Sequence, residues 1–178
     1  MTHGGDQLMK RVIVLGSPGA GKSTFARKLR DRTGLPLYYL DKIWHLPDRT
    51  HISREAFDEK LADILKTDQW IIDGNYRRTI EMRLSCCDTV FLLDYPPDVC
   101  LEGAKARIGR QREELPWLEE ELDEGLRQSI LDFPDTKLPQ IYQLLERFSG
   151  EKEIHIFRSR EDAGDYLDIV ASNELSLS

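Results

Sequence analysis

The sequence is short of cysteine, of long apolar runs and of positive charge, and each shortage removes a class of protein. Three cysteines occur in 178 residues. Cys86 and Cys87 are adjacent and Cys100 stands apart, so there is neither an even disulfide framework nor a CxxC metal pair. Cys86 and Cys87 end an apolar segment, which points to packing rather than redox chemistry. No apolar stretch approaches the roughly 20 residues that cross a bilayer, and MTHGGDQLMK lacks the apolar run of a signal peptide. A cytoplasmic chain with no membrane partner is the expectation. Acids outnumber bases by 32 to 25, a net charge of -7. Such a field repels phosphate backbones, so direct nucleic-acid binding is not expected. His45 and His51 have no companion at metal-ligand spacing, which argues against structural zinc.

What is present is an ordinary globular balance, 40% hydrophobic and 32% charged, over a length that suits one domain spanning residues 1–178. Residues 1–8 and 172–178 are expected to fray. Arg11–Gly16 (RVIVLG) reads as a buried strand that ends in a tight loop, with a helix starting near Lys22. Further strands are predicted at Leu35–Asp41, Trp70–Gly74, Asp88–Tyr95 and Glu153–Phe157. A helix capped by Ser53 carries Phe57, Leu61, Ile64 and Leu65 on one face. Ser159 resembles the cap of a last helix. Strands alternating with helices imply a three-layer α/β fold, a parallel five-stranded sheet covered on both faces. Between Val99 and Phe148 helical patterns follow one another without a strand, as in a helical excursion from the sheet. Within it Glu113–Glu124 holds seven acids and no base. Leu118, Leu122 and Leu126 recur every four residues there, and the reading is a solvated helix face.

The chemistry is carried by Gly16-Ser17-Pro18-Gly19-Ala20-Gly21-Lys22-Ser23, which satisfies GxxxxGK[ST] between an apolar strand and a helix start. Glycines let successive backbone N–H groups turn around an anion, and the helix that follows presents its positive end. The expected ligand is ATP with Mg²⁺. Lys22 would reach the β- and γ-phosphates, Ser23 would ligate the metal, and Thr24 would contact the α-phosphate. No NKxD motif follows, which disfavours a GTPase, and the chain is small for a AAA-type motor.

These motifs resemble the P-loop nucleotide kinases related to adenylate kinase, and within them the small bacterial DNA topology modulation proteins. The resemblance covers Arg11 to Leu167, through GSPGAGKST, LDKIWHLP, WIIDGNY, FLLDYP and IHIFRSRED. It implies a P-loop fold of the nucleotide-kinase type in which residues 99–148 form a helical lid. It also implies that Asp73, in Asp73-Gly74, acts on Mg²⁺ through a bound water. Adenylate kinases usually follow Asp-Gly with a Phe-Pro-Arg run that engages the acceptor phosphate. This chain has Asn75-Tyr76-Arg77-Arg78 instead.

Asp41 is predicted to end the second strand and so to face the site, placed to accept a proton from a substrate hydroxyl. Asp94 has the same placement, but Pro96 favours a turn role. Trp44 reads equally as a stacking platform or as core. Lys105, Arg107, Arg110 and Arg112 form the densest basic patch, placed on a helix that runs into the excursion. Arg107 and Arg110 are the candidate clamps for charge on a transferred phosphoryl group. The expected activity is transfer of the γ-phosphoryl of ATP to a small acceptor, such as a nucleotide or nucleoside. The alternative is a nucleotide-dependent regulator acting through a partner. The residues identify neither the acceptor nor the oligomeric state.

Overall fold

The computed structural model describes residues 8–176; of the frayed ends expected at 1–8 and 172–178, residues 1–7 and 177–178 lie outside the described residues. The sheet grows around β1 (Arg11–Gly16), whose Val12 and Val14 enter one apolar cluster while Ile13 and Leu15 enter another. All four are fully buried, and a strand buried on both faces must be covered on both. One cover is α1 (Lys22–Thr33), which packs Phe25, Ala26 and Leu29 on the first cluster beside α8 (Arg160–Ser176). The opposite face is covered by α3 (Arg54–Leu65) and α4 (Ile80–Cys86), through Phe57, Leu61, Ile80 and Leu84.

Four more strands complete the sheet: β2 (Leu37–Tyr39), β3 (Trp70–Asp73), β4 (Thr89–Leu93) and β5 (Glu153–Phe157). All pair in parallel, in the order β2-β3-β1-β4-β5. The five-stranded parallel sheet with helices on both faces is therefore as the sequence predicts. Because β1 lies between β3 and β4, the loops leaving β1 and β3 emerge side by side. Val14 is in register with Asp73, and Gly16 with Leu93. Ligands in open parallel sheets gather beyond these carboxyl ends. Ser53 caps α3 by accepting from Ala56 N at 3.1 Å, and Ser159 Oγ accepts from Asp162 N at the same distance.

Three local expectations need correction. The second strand stops at Tyr39, and Asp41 lies in the first turn of a short helix, α2 (Leu40–Trp44). The helical turn buries Leu40 completely among Phe57 and Ile80 while Asp41 stays exposed; continued strand alternation would have put Asp41 on the same side as buried Tyr39. The helix α5 (Pro97–Ala106) ends before the arginines, so Arg107 is its C-terminal cap and Arg110 and Arg112 lie in the loop beyond. Finally, Glu113–Asp123 is not a solvated helix face but an irregular strap, with helix resuming only in α6 (Glu124–Thr136). Pro116 interrupts the pattern, and the acids are drawn to distant cations. Glu114 is buried between Arg27 and Arg112 at 2.9 Å from each, while Glu113 accepts from Tyr39 and Arg30. A third helix, α7 (Leu138–Arg147), closes this strand-free segment.

Candidate active site

The loop after β1 is shaped by contacts from three remote parts of the chain. Asn75 grips Gly16 from the end of β3, its Oδ1 accepting from Gly16 N at 3.1 Å and its Nδ2 donating to Gly16 O at 2.7 Å. From α5, Gly103 abuts Gly19 so closely that a Cβ on Gly103 would lie 2.1 Å from Gly19 O. Gly19 itself, at φ +80°, has no room either, since its own Cβ would meet Cys100 O at 2.0 Å. At the start of α8, Arg160 donates to Ala20 O at 2.9 Å and Gly19 O at 3.3 Å, and its guanidinium lies 5.5 Å from the Tyr95 ring centroid. These contacts occupy the carbonyls of Gly16, Gly19 and Ala20 and the N–H of Gly16; apart from Gly16 N and Ala20 N, which donates to Ser17 O at 3.1 Å, the loop's N–H groups are left for an anion.

Lys22 and Ser23 open α1 at the mouth of this loop. Ser23 Oγ donates to Asp73 Oδ2 at 2.5 Å, which joins the helix start to the end of β3. Asp73 is buried, and its other oxygen, Oδ1, has no partner among the described residues. Burial pushes the Asp73 carboxyl up to about 6, although neighbouring Lys22 opposes that rise. Burial also lowers the Lys22 ammonium, whose Nζ donates to Ser17 O at 3.1 Å.

A cavity of about 840 Å³ extends from this point. Its wall includes Pro18, Gly19, Gly21, Lys22, Ser23 and Thr24 from the loop and α1, with Asp41, Asp73, Arg107 and Arg110 converging on the same space. Gly16, Ser17 and Ala20 complete the loop behind that wall. Asp41 Oδ1 accepts from Tyr76 OH at 2.7 Å, and its second oxygen has no partner among the described residues. Arg107 Nε lies 3.2 Å from Glu119 Oε2, close enough to pair by charge but off the line of a hydrogen bond. Burial, then nearby Arg112, lowers the Arg107 guanidinium. Arg110 is exposed and has no ion-pair partner among the described residues.

Other candidates lie elsewhere. Asp94 accepts from Tyr142 OH at 2.6 Å and from Arg158 at 2.9 Å, outside the cavity. Trp44 stacks on His51 at 4.3 Å and meets Phe57 edge-on, in the core sense rather than as a platform. Arg77 and Arg78 face a separate surface, where Arg78 pairs with Asp58 at 2.7 Å. The cavity also contains residues the sequence did not single out, chiefly Arg27, Glu114, Trp117 and Arg160, together with Arg112 of the basic patch and His45, for which the sequence suggests no role at the site. Arg27 was within reach, one helical turn beyond Ser23. Glu114 and Arg160 carry no local signal, because their partners lie about 90 and 140 positions away.

Among the described residues there is no cluster of three or more metal-ligating side chains and no helix long and apolar enough to cross a membrane. No protein-family model matches the chain. Its sequence is similar to the adenylate kinase of Thermotoga neapolitana, 30% identical over 95 residues, which are 52% of this chain and 42% of that protein. The adenylate kinase of Caldicellulosiruptor saccharolyticus is 28% identical over 145 residues, 80% of this chain and 59% of that protein. The chain thus spans roughly half the length of the curated relatives it matches. In fold it is similar to a shikimate kinase from Acinetobacter baumannii solved with shikimate, with a TM-score of 0.57 at 17% identity over 94% of this chain and 96% of that one. A shikimate kinase from Bacteroides thetaiotaomicron gives 0.55 at 18% identity over 92% and 97%. The fold is thus the α/β P-loop fold of the nucleotide-kinase type, and the sequence is similar to adenylate kinases.

Proposed function

We propose that the chain binds ATP with Mg²⁺ at Gly16–Ser23 and transfers the γ-phosphoryl group to a small acceptor. One observation carries this reading. The phosphate-binding loop, the Ser23–Asp73 pair, Asp41 and Arg110 border a single cavity of about 840 Å³.

The residues fit a hard cation. Asp73 leaves a buried oxygen without a partner among the described residues, and Ser23 holds a hydroxyl beside the same carboxylate. Those two side chains would hold Mg²⁺, which when bound screens the negative charge of the phosphates. The backbone N–H groups of the loop, with Lys22, hold the triphosphate in line with the acceptor, so that positioning supplies most of the acceleration. Asp41 takes the proton of the acceptor hydroxyl through its free oxygen, with Tyr76 fixing the carboxylate. Arg107 and Arg110 stabilise charge on the moving phosphoryl group. The segment from α5 to α7 excludes water from the transfer.

The test is acceptor-dependent ADP release with Mg-ATP, measured on the parent and on Lys22→Ala. Release that requires both an acceptor and Lys22 supports the proposal. Hydrolysis that no acceptor stimulates, and that Arg107→Ala and Arg110→Ala leave at the parent rate, replaces it with a nucleotide-dependent regulator.

A further inference from the structure

We infer that the acceptor is an uncharged, ring-bearing alcohol of sugar or nucleoside size, and not a nucleotide or another phosphate-bearing compound, because the cavity's lid-side guanidinium groups other than Arg110 already lie against carboxylates. The inference rests on the kinase reading of the same cavity.

The matching is a continuous chain of ion pairs. Arg27 meets Glu114 at 2.9 Å, Glu114 meets Arg112 at 2.9 Å, Arg112 meets Glu119 at 2.8 Å, and Glu119 meets Arg107 at 3.2 Å. Glu114 is 5% exposed and Arg112 14%, so water does little of the screening. An acceptor phosphate would have to displace Glu114, which is buried, or Glu119, which is half-buried, from its guanidinium and so strand a carboxylate that water screens only in part. The alternative place is beside Asp41, whose neighbour Tyr76 is a hydroxyl and not a cation. Arg110 remains unmatched, and the transferred phosphoryl group claims it. Six basic and five acidic side chains line the whole cavity, and the triphosphate brings more negative charge than that single surplus. A second anion is therefore opposed by the field.

The same wall offers a ring face. Trp117 lies edge-on to His45 at 5.0 Å, with the Arg49 guanidinium 5.9 Å from its centroid, and both Trp117 and His45 border the cavity with Asp41. An indole beside hydrogen-bonding groups suits a sugar or base ring. In the step itself the acceptor oxygen forms a bond to the γ-phosphorus as the bond from that phosphorus to the β–γ bridging oxygen breaks. The hydroxyl proton goes to Asp41, and ADP leaves with the electron pair.

The experiment compares matched acceptors at saturating Mg-ATP: adenosine with AMP, thymidine with its 5′-monophosphate, and glucose with glucose 6-phosphate. ADP release is expected to favour an uncharged member by about tenfold or more. A phosphorylated member that is the better substrate overturns the inference and leaves the kinase reading intact, whereas no acceptor dependence in either set removes both. A binding measurement that needs no turnover stands beside it. With a nonhydrolysable ATP analogue filling the loop, inorganic phosphate should bind the parent weakly and Glu119→Gln about tenfold more tightly, since Arg107 loses its carboxylate and Arg112 keeps only Glu114. Equal affinities would show that the carboxylates do not set the cavity's preference.

Discussion

Asn75 and Gly16 exchange two hydrogen bonds, so one side chain satisfies both backbone groups of the residue where β1 becomes the phosphate-binding loop. A backbone group left unpaired in a buried site costs about 1–3 kcal/mol. Asn75→Ala is therefore expected to weaken Mg-ATP binding by about tenfold while the sheet remains folded. Calorimetry on the two proteins, with circular dichroism as the control, measures this. Unchanged affinity would mean that the loop holds its shape without the clamp.

Gly103 is required by contact and not by backbone angle. A methyl group there would strike Gly19 O, and overpacking of this kind costs about 1–3 kcal/mol. Gly103→Ala should lower nucleotide affinity by about tenfold or more, because the loop must retreat. Gly164 is the control: it lies in α8 with nothing near its missing Cβ. Gly164→Ala should leave affinity unchanged and raise stability by about 0.5–1 kcal/mol. Equal behaviour of the two variants in a nucleotide titration would dismiss the contact.

Asp73 predicts a conflict between stability and activity. Its carboxyl is raised to about 6 by burial, so between the unfolded value near 4 and 6 the folded chain holds the proton more tightly than the unfolded one. The metal-free protein thus loses stability as pH rises through that window, and above it the full cost of the buried charge persists. Asp73→Asn should raise the melting temperature by about 3 °C or more at pH 7.5 and by less at pH 4.5, while turnover collapses. Thermal melts in chelator at the two pH values check the sign; a variant less stable at pH 7.5 would contradict it.

Arg107 and Arg110 share the cavity but not the same surroundings, and their variants should differ. Arg110→Ala removes a guanidinium with no other partner among the described residues and is expected to reduce acceptor-dependent turnover by about 10²-fold, with ATP affinity little changed. Arg107→Ala also frees Glu119 from one of its two cations, so it should lower stability as well as rate. Steady-state kinetics paired with denaturant melts separate the two. Identical profiles would undo the distinction.

The sequence revealed most where the physics is local. A short apolar run ending in glycine marked β1, the glycine spacing marked its loop, and a capping serine marked the start of α3. Asp73 was singled out by the family resemblance, which places an Asp-Gly step at the end of that strand. The failures involve long-range partners. Leucines at every fourth position suggested a helix through Glu113–Glu124, but the segment's shape is set by Arg27, Arg30 and Tyr39, which no local pattern connects to it. Asp41 was placed on a strand because Tyr38, Tyr39 and Leu40 suit one, and only the burial of Leu40 beneath α3 explains the turn. Arg160 received no role of its own within IHIFRSRED, because its contact with Ala20 O spans 140 positions.

That last contact bears on how the molecule comes into being. The loop is encoded near the beginning of the chain, yet the groups that set its shape come from Asn75, Gly103 and Arg160. During synthesis the loop emerges from the ribosome long before its final brace, and β5 and the start of α8 are made last. Nucleotide capture is accordingly expected to begin only when translation has passed Arg160, so that an incomplete nascent chain neither sequesters ATP nor spends it.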